Sequence, residues 1–304
     1  MSSYSYYIAD AFSRKPFSGA QIGVFPETRG LDDLQMLQLA GELNLPQTIF
    51  LQQGGDEANY RARIFNPRRE MNFAAQAIVA AGYILEKTAD SATDSPTTTL
   101  TMATRRGVLP IHFIREHGRL RLVTFSMTTE PVVDLFAPPA EELARFLNLK
   151  TAEIETKRFT PRIASCGRPF LIVPLKDSEA VHRARFDFKT WAESTAPATA
   201  AQEILLFSRR THQPAVDFHC RLVGPEIGPH EDPPVGAAMP AFCGYLCSHP
   251  HLRQGTYVFT VQRGAEGARR SLLNLEMDHK GSDRLNLRIG GEAVVVAEGK
   301  IYTA

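Results

Sequence analysis

Two stretches of this 304-residue chain echo one another. Arg63-Ile64-Phe65-Asn66-Pro67 leads through a loop to a run ending Ala81-Gly82-Tyr83-Ile84-Leu85. Arg221-Leu222-Val223-Gly224-Pro225 leads through a loop to Cys243-Gly244-Tyr245-Leu246-Cys247. Proline to glycine is 15 residues in the first (67 to 82) and 19 in the second (225 to 244), so the second loop is four residues longer. Strand–loop–helix units recur widely by chance. The shared Gly-Tyr endings, on units that start 158 residues apart (63 to 221), favour duplication instead. A duplicated unit predicts two similar domains facing each other across a cleft.

The rest of the pattern is β-rich. Alternation or short apolar runs predict strands at 6–12, 22–25, 47–52, 60–65, 99–103, 107–115 and 120–127. Further strands are expected at 168–175, 204–208, 218–223, 257–262, 272–278, 285–289 and 293–297. Helices are expected over 31–43, 73–86, 141–147 and 235–247, the first with Leu31, Leu34, Leu37 and Leu43 near one face. Many short strands with few long helices indicate an α+β fold, not a doubly wound sheet. We expect an N-terminal domain over 1–127, to which a final strand at about 290–304 returns, and a C-terminal domain over 128–289.

Composition excludes several classes. A formal net charge of +1 offers no electrostatic footprint for nucleic acid or an anionic membrane. No apolar run approaches the length of a membrane helix, and the polar N-terminus lacks a signal-peptide pattern. Four cysteines are too few for a disulfide framework, so a reduced, cytoplasmic protein is expected. No ligand set with metal spacing stands out: Cys243 and Cys247 lack a second pair, and His249-Pro250-His251 reads as a turn. Trp191 reads as a packing residue.

Each repeated unit opens a helix just after a loop, where the first N–H groups have no intrahelical partner. Two such ends form a place for a carboxylate or other small anion. The plain alternative is close packing through small residues. His230-Glu231-Asp232, just before the second helix, is the one local cluster of ionisable groups, and Asp232 could equally be an N-cap.

These stretches resemble the PhzF-like family, named for the phenazine-biosynthesis isomerase and sharing the diaminopimelate epimerase fold. Ile8 to Phe25 resembles the family's opening strand pair, and Gly41 to Leu51 its helix end and acid-bearing strand. Arg63 to Ala77 is similar to the signature Phe-Thr-Pro-x-x-Glu-x-x-Phe-Ala-Gly-His-Pro. Gly224 to Pro240 is similar to Pro-x-x-Gly-x-x-Glu-Asp-Pro-Ala-Thr-Gly-Ser-Ala. The resemblance implies two pseudo-symmetric domains, each a curved, mostly antiparallel sheet around a central helix, with the site in the cleft between them. It also implies a small-molecule carboxylate substrate, no cofactor, no metal, and a homodimer.

The resemblance implies an altered set of chemical groups. The family's acid/base glutamate corresponds to Gln47 and its histidine to Gln76, and neither amide titrates near neutral pH. Thr-Gly-Ser corresponds to Val235-Gly236-Ala237, which leaves Asp232 as the one inherited acid. The thiol-pair racemases of this fold are excluded, because no cysteine stands near Ala75 or 235–237. Asp232, Gln47 and Gln76 are the expected catalytic residues; Ala74, Ala75, Gly236, Ala237, Glu231 and His230 are expected to bind substrate. Three readings follow. One is an isomerase or cyclase of a small unsaturated carboxylic metabolite in secondary metabolism, with Asp232 as proton carrier. Another is a pericyclic or cyclisation catalyst that works by hydrogen bonding and shape. The third is a binding protein that has lost its chemistry.

Overall fold

The computed structural model describes residues 2–89, 95–228, 232–264, 269–281 and 284–303. Two compact units emerge: Met1–Met127 with Gly267–Leu273 and Arg288–Ala304, and Thr128–Glu266 with Asn274–Leu287.

The first unit carries β1 (Ser2–Ala11), β2 (Ala20–Phe25), α1 (Asp33–Leu43), β3 (Gln47–Gln53), β4 (Tyr60–Phe65), β5 (Glu70–Met71), α2 (Ala75–Thr88), β6 (Thr97–Thr104), β7 (Gly107–Glu116) and β8 (Arg119–Thr129). The second carries β9 (Val132–Asp134), α3 (Ala140–Phe146), β10 (Arg162–Ser165), β11 (Pro169–Pro174), α4 (Ser178–Arg183), α5 (Phe188–Ala192), β12 (Glu203–Ser208), β13 (Phe218–Val223), α6 (Met239–Cys247) and β14 (Gly255–Arg263). β15 (Ser271–His279) and β16 (Leu285–Gly291) contribute residues to both, and β17 (Ala293–Thr303) belongs to the first.

The echo in sequence is an echo in strand pairing. In the first unit β17 pairs antiparallel with β1, β1 antiparallel with β2, β2 parallel with β3, β3 antiparallel with β4, and β4 parallel with β6. In the second, β9, β10, β11, β12, β13 and β14 follow the same series of antiparallel and parallel steps. The parallel steps need crossovers, which α1 and α2 supply in one unit and α4, α5 and α6 in the other.

The repeated Gly-Tyr has a physical cause. A Cβ on Gly82 would stand 2.6 Å from Val123 Cγ1, and one on Gly244 2.2 Å from Pro131 Cβ, so each helix passes too close to its neighbour for a side chain. The tyrosines that follow both donate to a backbone carbonyl: Tyr83 to Arg121 at 3.0 Å and Tyr245 to Thr160 at 2.9 Å.

α2 is apolar all round and buried along most of its length, as a central helix must be. It packs on β1, β2, β3 and β17. α1 is capped by Asp32 and Gln35 in a reciprocal pair of side-chain bonds. Its buried residues are Met36, Leu39 and Ala40; of the expected leucine face Leu31, Leu37 and Leu43 pack into the same core and Leu34 is exposed. Phe25, Phe50 and Phe65 stack beneath it. In the second unit Leu143, Phe146, Leu171, Val173, Ile204 and Trp191 share one core, so Trp191 is a packing residue. Phe207, Phe218, Phe242 and Tyr245 form an aromatic cluster around α6.

Candidate functional site

In the first unit β3 begins at Gln47, in parallel register with Ile22 of β2. Gln76 is the second residue of α2. Both are buried, Gln76 completely and Gln47 to 6 % exposure. Gln76 Nε2 and Oε1 and Gln47 Oε1 have no protein hydrogen-bond partner among the described residues. That is costly in a folded interior, where buried polar atoms are almost always paired. Ala74 is the N-cap, extended at φ −155°, and offers no side-chain cap; Ala75 follows as the first helical residue, and both are buried. The expected helix start at Phe73 is therefore two residues early, because 73 and 74 remain outside the helix.

The loop that delivers this helix is clamped. Glu70 receives Arg63 through both carboxylate oxygens at 2.8 and 2.9 Å, and Arg105 at 2.5 Å. Arg63 also pairs with Asp33 at the start of α1. Glu70 thus holds the turn. Asp10, buried in β1, accepts the Phe17 N–H at 2.7 Å and pairs with Arg269, which also donates to the Gly19 and Ser18 carbonyls.

In the second unit Asp232 is not an N-cap. The chain forms a single 3-10 turn, Gly236–Ala238, capped by Val235, and only then α6, with Pro240 near its start. The expected helix start at 235 moves to Met239 because Pro240, which lacks an N–H, is accommodated in the first turn of an α-helix. Gly236 is buried and Ala237 half-buried in that turn. Asp232 instead meets Arg263, whose Nε lies 3.4 Å from Oδ2 and whose guanidinium donates to the Asp232 carbonyl. Asp232 Oδ1 is buried without a protein partner. Burial pushes the carboxyl above its ordinary range, against Arg263, Arg221 and His182, which pull it down. His230 and Glu231 lie outside the described residues.

Sequence reasoning missed the groups around Asp232. Arg221 Nη1 donates to the Val181, His182 and Ala184 carbonyls at 3.4, 3.2 and 2.9 Å, so it serves the end of α4. His182 and His219 stack edge-on at 4.2 Å, and burial lowers His219 to about 3, leaving it neutral. Alternation along β13 signalled a strand but could not say that His219 turns inward. His249 Nδ1 donates to the Tyr245 carbonyl (2.9 Å) and Nε2 accepts the Thr160 N–H, inside an aromatic cluster; it is a structural residue of the turn. Among the described residues no group of three or more His, Cys, Asp or Glu could hold a metal ion, and no helix is long and apolar enough to cross a membrane.

Of the expected site residues, Gln47, Gln76, Ala74 and Ala75 belong to the first unit, and Asp232, Gly236 and Ala237 to the second. The first set is uncharged; the second brings an acid and its counter-ion.

Known proteins match across nearly the whole length. Residues 9–299 match the family described as phenazine biosynthesis-like protein. An uncharacterized isomerase of Mesorhizobium japonicum is 28 % identical over 99 % of this chain and 100 % of its own. The trans-2,3-dihydro-3-hydroxyanthranilate isomerase of Pseudomonas aeruginosa is 26 % identical over 98 % of this chain and 99 % of its own. The crystal structure of a Bacillus anthracis phenazine biosynthesis protein of the PhzF family superposes with a TM-score of 0.84 at 22 % identity, covering 100 % of both chains. The fold is α+β of the diaminopimelate epimerase type. With a family match that spans 9–299, this chain belongs to the PhzC–PhzF, phenazine biosynthesis-like family.

Proposed function

We propose that the protein is an isomerase or cyclase acting on a small unsaturated carboxylic metabolite in secondary metabolism, with Asp232 as the group that carries the proton. The observation that carries this reading is the state of Asp232: a carboxyl raised by burial, with Oδ2 beside Arg263 and Oδ1 unpartnered. A carboxyl whose pKa moves toward the working pH can both take and return a proton. Gln47 and Gln76 are assigned to holding the substrate, since an amide orients by hydrogen bonds but does not exchange protons at neutral pH. Gly236 and Ala237, together with Ala74 and Ala75, line the helix starts as small residues that admit a ligand close to the backbone. The Pseudomonas relative named for dihydro-hydroxyanthranilate isomerisation supports the reaction class. A homodimer is the assembly this reading expects.

The test is solvent-deuterium incorporation into product, screened over small unsaturated acids, with Asp232→Asn as the control. The reading expects deuterium in the product and a loss of turnover on the order of a hundredfold or more in the variant, as general acid–base groups supply. Turnover that survives Asp232→Asn with no deuterium uptake would replace it with a second reading. That second reading, a cyclisation catalyst without an acid, is favoured by the uncharged set of expected site residues in the first unit, where orientation and fixed dipoles would supply the rate.

A further inference from the structure

We propose that the substrate carries, besides its carboxyl, a neutral carboxamide or lactam, and that the first unit holds this group, which presents a donor and an acceptor side by side, and not the carboxylate. This inference rests on the reading of that unit as the substrate-holding half.

Buried polar side-chain atoms without protein partners occur in this unit on Gln47, Thr48, Gln76 and Thr124, and none of these residues titrates near neutral pH. Gln76 is the most informative. It is fully buried, and both ends of its amide are unpartnered, so the conclusion does not depend on which way the amide is placed. An amide in this state needs an acceptor for Nε2–H and a donor for Oε1. A primary amide or lactam satisfies both at once, in an eight-membered ring of two hydrogen bonds. A carboxylate can accept from Nε2 but sets its own negative oxygen against Gln76 Oε1.

The helix start pulls the other way. Gln76 stands in the first turn of α2, where side chains tilt toward the N-terminus, and a helix end favours anions. A helix end gives an anion about a two- to fivefold advantage when exposed and up to about thirtyfold when partly buried, as here. An acceptor left facing another acceptor in a buried site loses about five- to a hundredfold. The two ranges overlap, so the number of unpartnered acceptors decides. The arginines on the loop ahead of the helix do not tip the balance back, since Arg63 and Arg105 are engaged with Glu70. Gln47 Oε1 is a further buried acceptor that an N–H can answer and a carboxylate cannot.

The experiment is calorimetric titration at pH 7.5 of two matched probes, cyclohex-1-ene-1-carboxamide and cyclohex-1-ene-1-carboxylate. The carboxamide should bind at least tenfold tighter to the wild-type protein, and the gap should close to within about threefold in Gln76→Leu. A carboxylate that binds as tightly or more tightly overturns the proposal, as does a gap that Gln76→Leu leaves intact. Gln76→Met, closer in shape, replaces the leucine variant if thermal melting shows that variant unfolded. If neither folds, a crystal structure of the wild-type protein with the carboxamide decides, since an amide bound away from Gln76 also overturns the proposal. Repeating the titrations in Asp232→Asn separates this from the proton step: the probe preference should persist where turnover is lost, so each can fail without the other.

Discussion

The Arg263 guanidinium donates to the carbonyl of Asp232 while its Nε stands 3.4 Å from Oδ2 of the same residue, so one arginine fixes both the backbone and the charge of the acid. Arg263 is among the forces that hold the Asp232 carboxyl down against burial. Removing that charge in Arg263→Met should raise the carboxyl further. The acidic limb of the pH–rate profile should move to higher pH. Arg263→Lys, which keeps the charge, should leave the limb near its wild-type position. A limb that stays in place in the methionine variant would mean that Arg263 does not set the acidity of this group.

The clamp on the loop before α2 makes a separate prediction. Glu70→Gln leaves the half-buried Arg63 without its bidentate partner and the exposed Arg105 without its ion pair. We expect a loss of about 1–3 kcal/mol in urea denaturation, in the range for orphaned hydrogen bonds to charged groups. Because the clamp positions the start of α2, ligand binding should weaken even where the variant is fully folded.

The two glycines of the repeat should not be equally sensitive. Alanine at 244 drives a methyl into the Pro131 ring, which is rigid, while alanine at 82 meets a Val123 methyl that another rotamer can move. Gly244→Ala should cost roughly 2–3 kcal/mol and Gly82→Ala about 1 kcal/mol, within the range for overpacked cores. Thermal melting of the two single variants checks the order.

Buried histidines give the protein an acid-sensitive stability. His219 is held down to about 3 and His249 to about 4, both mainly by burial. The unfolded chain, with histidines near 6.5, binds more protons than the folded one between those values and 6.5. The contribution is therefore full above about pH 6.5 and is lost as pH falls toward 4 and then 3, at up to about 1.4 kcal/mol per pH unit for each group. Urea midpoints measured from pH 7 to pH 4 should fall less steeply in His219→Gln than in the wild type.

Local chemistry made much of this legible beforehand. β4 and β13 were readable to the residue, because an alternating run and a closing proline or glycine bound each of them. Gln47 and Gln76 are singled out by the family resemblance and Asp232 also by its place before the second helix, and the structure finds unpartnered buried atoms on all three. What stayed hidden depends on packing between distant segments. The side of α1 that is buried is set by Phe25, Phe50 and Phe65 below it, so Met36 and Leu39 turn inward in place of Leu34. The choice of Asp232 between capping and pairing rests on Arg263, 31 residues away, and no local pattern announces it. Nor does spacing reveal that His182 and His219, from a short helix and a strand, come into contact.

The pairing of β1 with β17 runs in register from Ser2 opposite Thr303 to Ala11 opposite Ala293. A ribosome makes β1 long before it makes β17. The series from β9 to β14 can close once Arg263 has emerged, but Ser2 to Tyr6, which among the described residues pair with β17, must wait for that strand to be made. Until then the β1 border is an open edge, the kind of surface that recruits other strands. The β1 edge therefore closes only once β17 has been made, and the yield of folded protein turns on how that edge is shielded in the meantime.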